Sequence, residues 1–537
     1  MADAAQPATP TPEALTPEQI AARLTEYLAE HPAAALLENG KLLLDFRTAR
    51  SSINAEHGRC MAHFWSEERN LIRHVTGLAE RKGVLRLSVL RMGQTRPQTL
   101  ELVPSRDRRQ PSERDSTRTK YLALLQRVLE RQFPESKVAS LRTAMDLERS
   151  FGPSYARGLH VRGTSAWALI AVNAAESPAI IHGILTLGIL WLHHCREHPP
   201  LRSGVRVVEG LRIVVPAGMA AVTAARLAWM NPKSAKWELY ELDERSEDLW
   251  QREADAAGNL QVDWLHAPDA TLARERFATA IETVQQMLPA PQRAQMEIAV
   301  RGRGEVAFLW HGLEFARARS ALAANSFSRN EEILFGTGAS ETPLTETNAA
   351  EMRELLAQLA SRRHTRGDKR DTLYRMQPER WLESRLRISL DALDPQLDPQ
   401  PVYAQVPAFS GADHSLLDLL AVRRDGRLVV VELKASEDLH LALQALDYWM
   451  RVRQHCTPGA VGAESELQRR GYFPGKTLQP APPLLYLAAP ALRIHPATET
   501  VLRYFSPQVD WTLIALDERW RDQLRAVYRK RSNGQPR

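Results

Sequence analysis

Two distant stretches of this chain carry the same residues at the same spacing, and that repetition constrains the fold more than any other feature. Counted from Pro216 and Pro490, Leu211 and Leu485 precede by five residues, and Ala217 and Ala491 follow directly. Trp237 and Trp511 each follow by twenty-one. Leu239 matches Leu513, Leu242 matches Leu516, and Asp243-Glu244-Arg245 falls on Asp517-Glu518-Arg519 without a gap. Pro232 and Pro507 differ by one position. Tryptophan is rare here, 12 in 537 residues, so matched tryptophans weigh heavily. Both stretches read strand–helix–strand, the pattern of an α/β layer. We read one α/β unit duplicated within the chain.

At 537 residues the chain is long enough for several domains, each with its own core. Its three cysteines, Cys60, Cys195 and Cys456, are too far apart for a zinc knuckle or a redox pair, and a disulfide framework is not expected. Residues 1–20 open rich in Ala, Pro and Thr, with no basic or apolar signal-peptide region, and read as a disordered tail. The strongest apolar run, Pro178–Leu192, is too short to span a bilayer. The expectation is a cytoplasmic protein without a membrane partner.

Residues 21–135 read as an α+β region, with a helix over Ser66–Arg81 and a strand over Val84–Leu90. Residues 136–320 read as an α/β domain, and 321–350, rich in small polar residues, as a linker. Residues 351–537 read as an α/β sandwich with a mixed sheet. Within it, Leu416–Val422 and Leu428–Leu433 flank Asp425-Gly426, a strong hairpin signal. A helix is expected over Leu439–Gln454.

This hairpin carries the chemistry. Glu432 and Lys434 are two apart on one strand and share a face. A turn centred near Asp425 places Asp418 opposite Glu432 or Leu433. Leu428-Val429-Val430-Val431 is apolar on both faces, so Glu432 and Lys434 at its end are costly unless paired or bound to an ion. Two carboxylates beside one ammonium suit a hard divalent cation such as Mg²⁺. Lysine at this point is informative because the chain holds only ten. Gln444 and Tyr448, four apart, share one face of the following helix.

Asp418, Glu432-Leu433-Lys434 and Gln444-Ala-Leu-Asp-Tyr448 together resemble the PD-(D/E)XK nuclease superfamily, in its RecB-type branch. The resemblance implies a restriction-endonuclease-like sandwich over 351–537. It also implies hydrolysis of DNA phosphodiester bonds by a water that Mg²⁺ activates, with Mn²⁺ able to substitute. Asp418 and Glu432 match the metal carboxylates, Lys434 the catalytic lysine, and Gln444 and Tyr448 the substrate-side helix motif. Glu383 fits the upstream helical glutamate and third metal ligand, with Glu379 as its rival. A proline before Asp418 and an upstream His-x-x-x-Glu are absent. The alternative is a catalytically silent nucleic-acid-binding or assembly protein that retains the fold.

The block at 136–320 lacks a Glu-x-Lys, and no lysine occurs between Lys137 and Lys233. It reads as an inactive nuclease-like copy, free to serve a homodimer or a protein partner. His193, His194 and His198 read as the end of its buried helix rather than a metal site. The net charge of +6 is unevenly spread. Two basic windows flank the hairpin, and Arg362, Arg363, Arg366, Lys369, Arg370, Arg529, Lys530 and Arg531 are expected to contact DNA phosphates.

Overall fold

The computed structural model describes residues 15–532, apart from 39–40, 48, 57, 67–69, 82, 91–97, 105–112, 147–149, 199–206, 258–264, 303, 323–328, 338–340, 408–415 and 457–462. The chain divides into two compact units, Met1–Lys120 and Tyr121–Arg537. Most of the expected disordered tail lies outside the described residues. Its end does not: α1 (Pro17–Glu30) begins at Pro17, with Thr16 and Gln19 forming a capping box.

In the first unit α1 packs on an antiparallel sheet of β1 (Ala35–Glu38), β2 (Lys41–Asp45), β3 (Arg50–Glu56), β4 (Arg59–Trp65), β5 (Asn70–Arg81), β6 (Val84–Leu90) and β7 (Gln98–Val103). The strand order is β2-β1-β7-β6-β5-β4-β3. The helix expected over Ser66–Arg81 is strand β5 instead. It is hydrogen-bonded on both sides, to β4 and β6, with a bulge between Val75 and Gly77. Sheet pairing overrides a local pattern that a helix also satisfies.

The second unit is built on two sheets of one topology. The first uses α2 (Glu113–Gln132), β8 (Lys137–Arg142), β9 (Tyr155–Arg162), β10 (Ser165–Val172), α3 (Pro178–Glu197), β11 (Val207–Pro216), α4 (Ala221–Leu227), β12 (Lys236–Asp243) and β13 (Asp248–Arg252). Between the two come α5 (Ala270–Arg276), α6 (Ala278–Gln286), α7 (Ala290–Arg293) and a five-stranded antiparallel sheet. That sheet holds β14 (Met296–Gly302), β15 (Glu305–Trp310), β16 (Leu313–Leu322), β17 (Arg329–Phe335) and β18 (Thr342–Pro343), and α8 (Ala349–Arg362) follows it. The last part uses α9 (Thr372–Arg375), α10 (Pro378–Ile388), β19 (Tyr403–Pro407), β20 (Leu416–Val422), β21 (Leu428–Leu433), α11 (Leu441–Cys456), α12 (Glu466–Arg469), β22 (Leu484–Pro490), α13 (Ala497–Leu502), β23 (Trp511–Leu516) and β24 (Ala526–Arg531).

Two expectations about boundaries change. The stretch 321–350 is not a linker, because Arg329–Phe335 pairs with β16 along its length. Nor is 136–320 one domain: the first α/β sheet ends at Arg252, and β14–β16 belong to the intervening sheet.

The two α/β sheets run β8-β9-β10-β11-β12-β13 and β19-β20-β21-β22-β23-β24. In each, the third and fourth pairings are parallel and the other three antiparallel. The registers match as well. Leu211 lies opposite Trp237 and Pro216 opposite Leu242, while Leu485 lies opposite Trp511 and Pro490 opposite Leu516. The first strand of each sheet carries a left-handed non-glycine residue, Ser140 (φ 58°) in β8 and Gln405 (φ 53°) in β19.

Layering follows the same rule twice. One face of the first sheet packs on α2, and one face of the second on α10. The opposite faces, with α3 and α4 from one repeat and α11 and α13 from the other, merge into a single core. There α3 packs on α13 and α11 on α4. The backbone crosses between repeats at equivalent places: Asn231 N–H donates to Tyr504 O and Ser506 N–H to Trp229 O, both at 2.8 Å. This is a pseudo-twofold arrangement within one chain. The apolar run expected to be too short for a bilayer lies in α3, a 20-residue helix that is long and apolar enough to cross one; its side chains lie largely in the shared core.

Candidate active site

The β20–β21 hairpin sets the site. Leu419 lies opposite Val431 and Val422 opposite Leu428, so one further step along the ladder brings Asp418 opposite Glu432. The turn between them needs glycine: Gly426 has φ 86°, and a Cβ there would stand 2.2 Å from Thr477 O. Leu433 N–H donates to Asp418 Oδ2 at 2.9 Å, which fixes the carboxylate against the neighbouring strand. Val429, Val430 and Val431 are fully buried. Each contributes on the order of 1.5–3 kcal/mol by burial, which holds the strand that must carry a charge at its end.

Glu432 is 1% exposed and Lys434 8%. Glu432 Oε1 lies 3.3 Å from Lys434 Nζ. Its other oxygen, Oε2, is buried and has no hydrogen-bond partner among the described residues. Burial, and then the charge of Asp418, push the Glu432 carboxyl well above its ordinary range. Burial also raises Asp418, against the opposing hydrogen bond from Leu433. For Lys434 burial acts to lower the pKa, but Glu432, Glu379, Asp438 and Asp418 outweigh it and keep the amine an ammonium. Asp438 Oδ2 stands 3.7 Å from it.

Helix α10 starts with Pro378 at its first turn and presents Glu379 and Glu383 one turn apart. The two glutamates serve different partners. Glu379 interacts with Lys434 and accepts the Ala435 N–H. Glu383, 7% exposed, accepts from Arg380 Nη1 at 3.1 Å and from the Gln405 amide. Burial raises its pKa to about 7, with Arg380 opposing. The same Gln405 nitrogen lies 3.3 Å from Asp418 Oδ1, so one amide joins the helix glutamate to the strand aspartate. Among the described residues no three His, Cys, Asp or Glu side chains close into a compact ligand group. Asp418 and Glu432 form the candidate ligand pair, and Glu383 is held by Arg380 and Gln405.

Gln405 had no sequence signal. The Pro/Gln-rich stretch before Pro407 reads as loop, yet it ends in strand β19, where the pairs Ala404–Leu419 and Val406–Leu417 put Gln405, with its left-handed backbone, level with Asp418.

Gln444 and Tyr448 line one cleft of ≈ 1180 Å³ together with Asp418, Glu432 and Lys434. Its far wall is the intervening sheet, with Ile298 and Val300 of β14, Ala316 of β16, and Arg301 and Arg317. That sheet is seated on α10. Gly312 (φ 74°) approaches so closely that a Cβ would stand 2.1 Å from Arg380 O. Glu297 accepts both the Gly312 N–H, at 3.3 Å, and the Ser384 hydroxyl.

The basic residues divide. Arg362, Arg366, Lys369, Arg370 and Arg531 are exposed. Arg363 is fully buried: its guanidinium donates to the carbonyls of Trp310, His311, Leu373 and Met376 at 2.7–3.1 Å and stacks on Trp381. Arg529 donates to Leu393 O and Ala392 O, and Lys530 pairs with Glu499. These three bind the protein itself and are withdrawn as phosphate contacts. The sequence cannot tell which of two adjacent arginines turns inward.

The first repeat supplies a control. Ile213 and Leu487 stand three residues before Pro216 and Pro490; Ile213 pairs with Ile170, and Leu487 with Glu432. Ile170 therefore holds the place of Glu432, and its partner Arg157 the place of Asp418. Two residues on, Val172 holds the place of Lys434. Arg157 is 1% exposed, donates to Ala144 O at 2.7 Å and lies 4.4 Å from the Phe151 ring centroid. The position that carries acid in one repeat is filled by an arginine and aliphatic side chains in the other. His193, at the end of α3, pairs with Glu197, and His194 stacks on His198. No protein-family model, curated protein or solved structure matches the chain.

Proposed function

We propose that the chain is a metal-dependent nuclease of PD-(D/E)XK type, cutting DNA phosphodiester bonds in the cleft between β20–β21 and the intervening sheet. The observation that carries the reading is Glu432. A carboxylate 1% exposed, with one oxygen lacking a hydrogen-bond partner among the described residues, is costly unless an ion takes that oxygen. Asp418 stands opposite, and oxygen donors of this kind suit Mg²⁺, with Mn²⁺ a substitute. Asp418 and Glu432 would hold the metal, which when bound lowers the pKa of water and offsets phosphate charge.

The protein's own groups do the rest. Lys434, kept cationic by its ring of carboxylates, orients the attacking water and opposes the charge that grows on the phosphate. Glu379 and Asp438 hold that ammonium in place. Gln405 locks Asp418 to α10. Gln444 and Tyr448 face the strand being cut. Arg362, Arg366, Lys369, Arg370 and Arg531 remain as contacts to the DNA backbone.

The first repeat is read as a degenerate copy, with Arg157, Ile170 and Val172 in place of the acid–acid–lysine set. The test is cleavage of single- and double-stranded DNA with Mg²⁺, with Mn²⁺ and with EDTA. Metal-dependent cleavage that Glu432→Gln abolishes supports the reading. Metal-independent DNA binding with no cleavage would instead make the chain a silent nucleic-acid-binding protein.

A further inference from the structure

The degenerate repeat grips the helix that carries Gln444 and Tyr448. Arg226, at the end of α4, is 8% exposed and reaches across the shared core to α11. Its Nε donates to Asp447 Oδ1 at 2.9 Å and its Nη2 to Asp447 Oδ2 at 2.7 Å, a two-pronged pair. Its third nitrogen donates to His182 O of α3, so the guanidinium is itself fixed by the first repeat. Asp447 is the residue next to Tyr448, one stripe round the helix from the cleft.

A second tie lies on the same stripe. His440, immediately before α11, is 3.0 Å through Nδ1 from Thr186 Oγ1 of α3. Gly183 makes room for it: a Cβ there would stand 2.9 Å from the His440 ring. A third contact lies near the middle of the helix, where Trp229 and Trp449 meet edge to face at 4.9 Å. Three separate contacts from one repeat thus converge on one helix of the other.

We infer that Arg226 is a positioning residue: through Asp447 it sets the rotation of α11 and thereby aims Gln444 and Tyr448 into the cleft. The inference rests on the nuclease reading for its catalytic readout but not for its structural one. An arginine fork fixes both rotation and distance, whereas a lysine at the same point supplies charge without the fork. Small misplacements of groups that meet the transition state are expensive, roughly a hundredfold in rate per ångström.

The test uses the full chain with Arg226→Lys, Asp447→Asn and the double variant. Two readouts are taken: kcat and KM for Mg²⁺-dependent cleavage of a single-stranded and a duplex oligonucleotide, and amide hydrogen exchange across residues 441–450. The expected result is a loss in kcat of roughly tenfold or more, with KM within about twofold and no further loss in the double variant, because the two residues act as one unit. Exchange should quicken in α11 and stay unchanged in β20 and β21. Wild-type kcat and unaltered α11 exchange in Arg226→Lys would overturn the inference. So would exchange that quickens throughout Tyr121–Arg537, which marks a general stabiliser. If the wild type cuts neither oligonucleotide, the nuclease reading falls, and exchange in α11 alone still decides whether the clamp exists.

Discussion

Replacing Glu432 by glutamine should make the metal-free protein more stable, the reverse of what most buried substitutions do. The carboxylate is 1% exposed, one oxygen has no partner among the described residues, and Asp418 lies opposite. An uncompensated buried polar group costs about 1–3 kcal/mol, more when charged. Glutamine keeps the shape. Its carbonyl still accepts from Lys434, and its amide can donate toward Asp418. The unit Tyr121–Arg537 holds about 400 residues. At about 2.1 cal/mol/K per residue its unfolding entropy is roughly 0.9 kcal/mol/K, so the gain should raise Tm by about 1–3 °C in EDTA. Mg²⁺ acts the other way and offsets this gap. At a hundred times its Kd the metal adds about 2.7 kcal/mol to the wild type, or roughly 3 °C, and nothing to the variant. Differential scanning fluorimetry with EDTA and with a Mg²⁺ titration reads both effects. A variant that melts lower than the wild type in EDTA, or a wild type whose Tm ignores Mg²⁺ and Mn²⁺ alike, would refute the view of Glu432 as a ligand waiting for an ion.

Other outcomes follow from the same geometry. Lys434→Ala should cut the cleavage rate at least about a hundredfold, the scale of losing one transition-state donor, while DNA affinity by fluorescence anisotropy stays near wild type; parallel losses would make Lys434 a binding residue. Neutralising Arg366, Lys369 and Arg370 should flatten the salt dependence of duplex binding by about 0.9 per lost contact, and an unchanged slope would remove them from the interface. Arg363→Ala should act on stability instead, costing on the order of 3–5 kcal/mol by urea denaturation, because four carbonyls and the Trp381 face lose their partner. His160 gives a pH signature. Burial, and then Arg212 with its guanidinium nitrogen 2.5 Å from Nδ1, depress its pKa from 6.5 to about 4. The unfolded chain binds the proton first. His160 therefore contributes stability fully above pH 6.5, and up to about 3 kcal/mol is lost as pH falls from 6.5 toward 4. His160→Gln should flatten Tm over that window; an equally steep fall would assign the acid lability elsewhere.

What the sequence disclosed and what it hid have physical causes. The hairpin was legible because Asp425-Gly426 sits between two apolar runs, and glycine at that turn is required by its positive φ and by Thr477 O. The duplication was legible because prolines and tryptophans mark strand ends and cores at fixed distances. The intervening sheet was missed. Its strand β15, Glu-Val-Ala-Phe-Leu-Trp, has no alternation to separate it from a buried helix segment. Strand β17 lies where composition alone suggests a linker. Gln405 reaches the site through a left-handed backbone conformation and strand pairing with β20, neither of which leaves a local pattern. Arg363 and Arg366 are alike in sequence and differ only in the tertiary contacts that bury one of them.

The shared core also dictates when this protein can fold during synthesis. Helix α3 is complete once residue 197 is made, but the helices that cover it in the other repeat, α11 and α13, end at residues 456 and 502. About 260 further residues must be translated before α11 exists, and at about 5–20 residues per second that is roughly 13–50 s. During that interval an apolar twenty-residue helix waits on the ribosome without its partner. The first repeat is thus a dependent of the last, and translation speed across residues 200–500 becomes a determinant of how much of the chain reaches its native state.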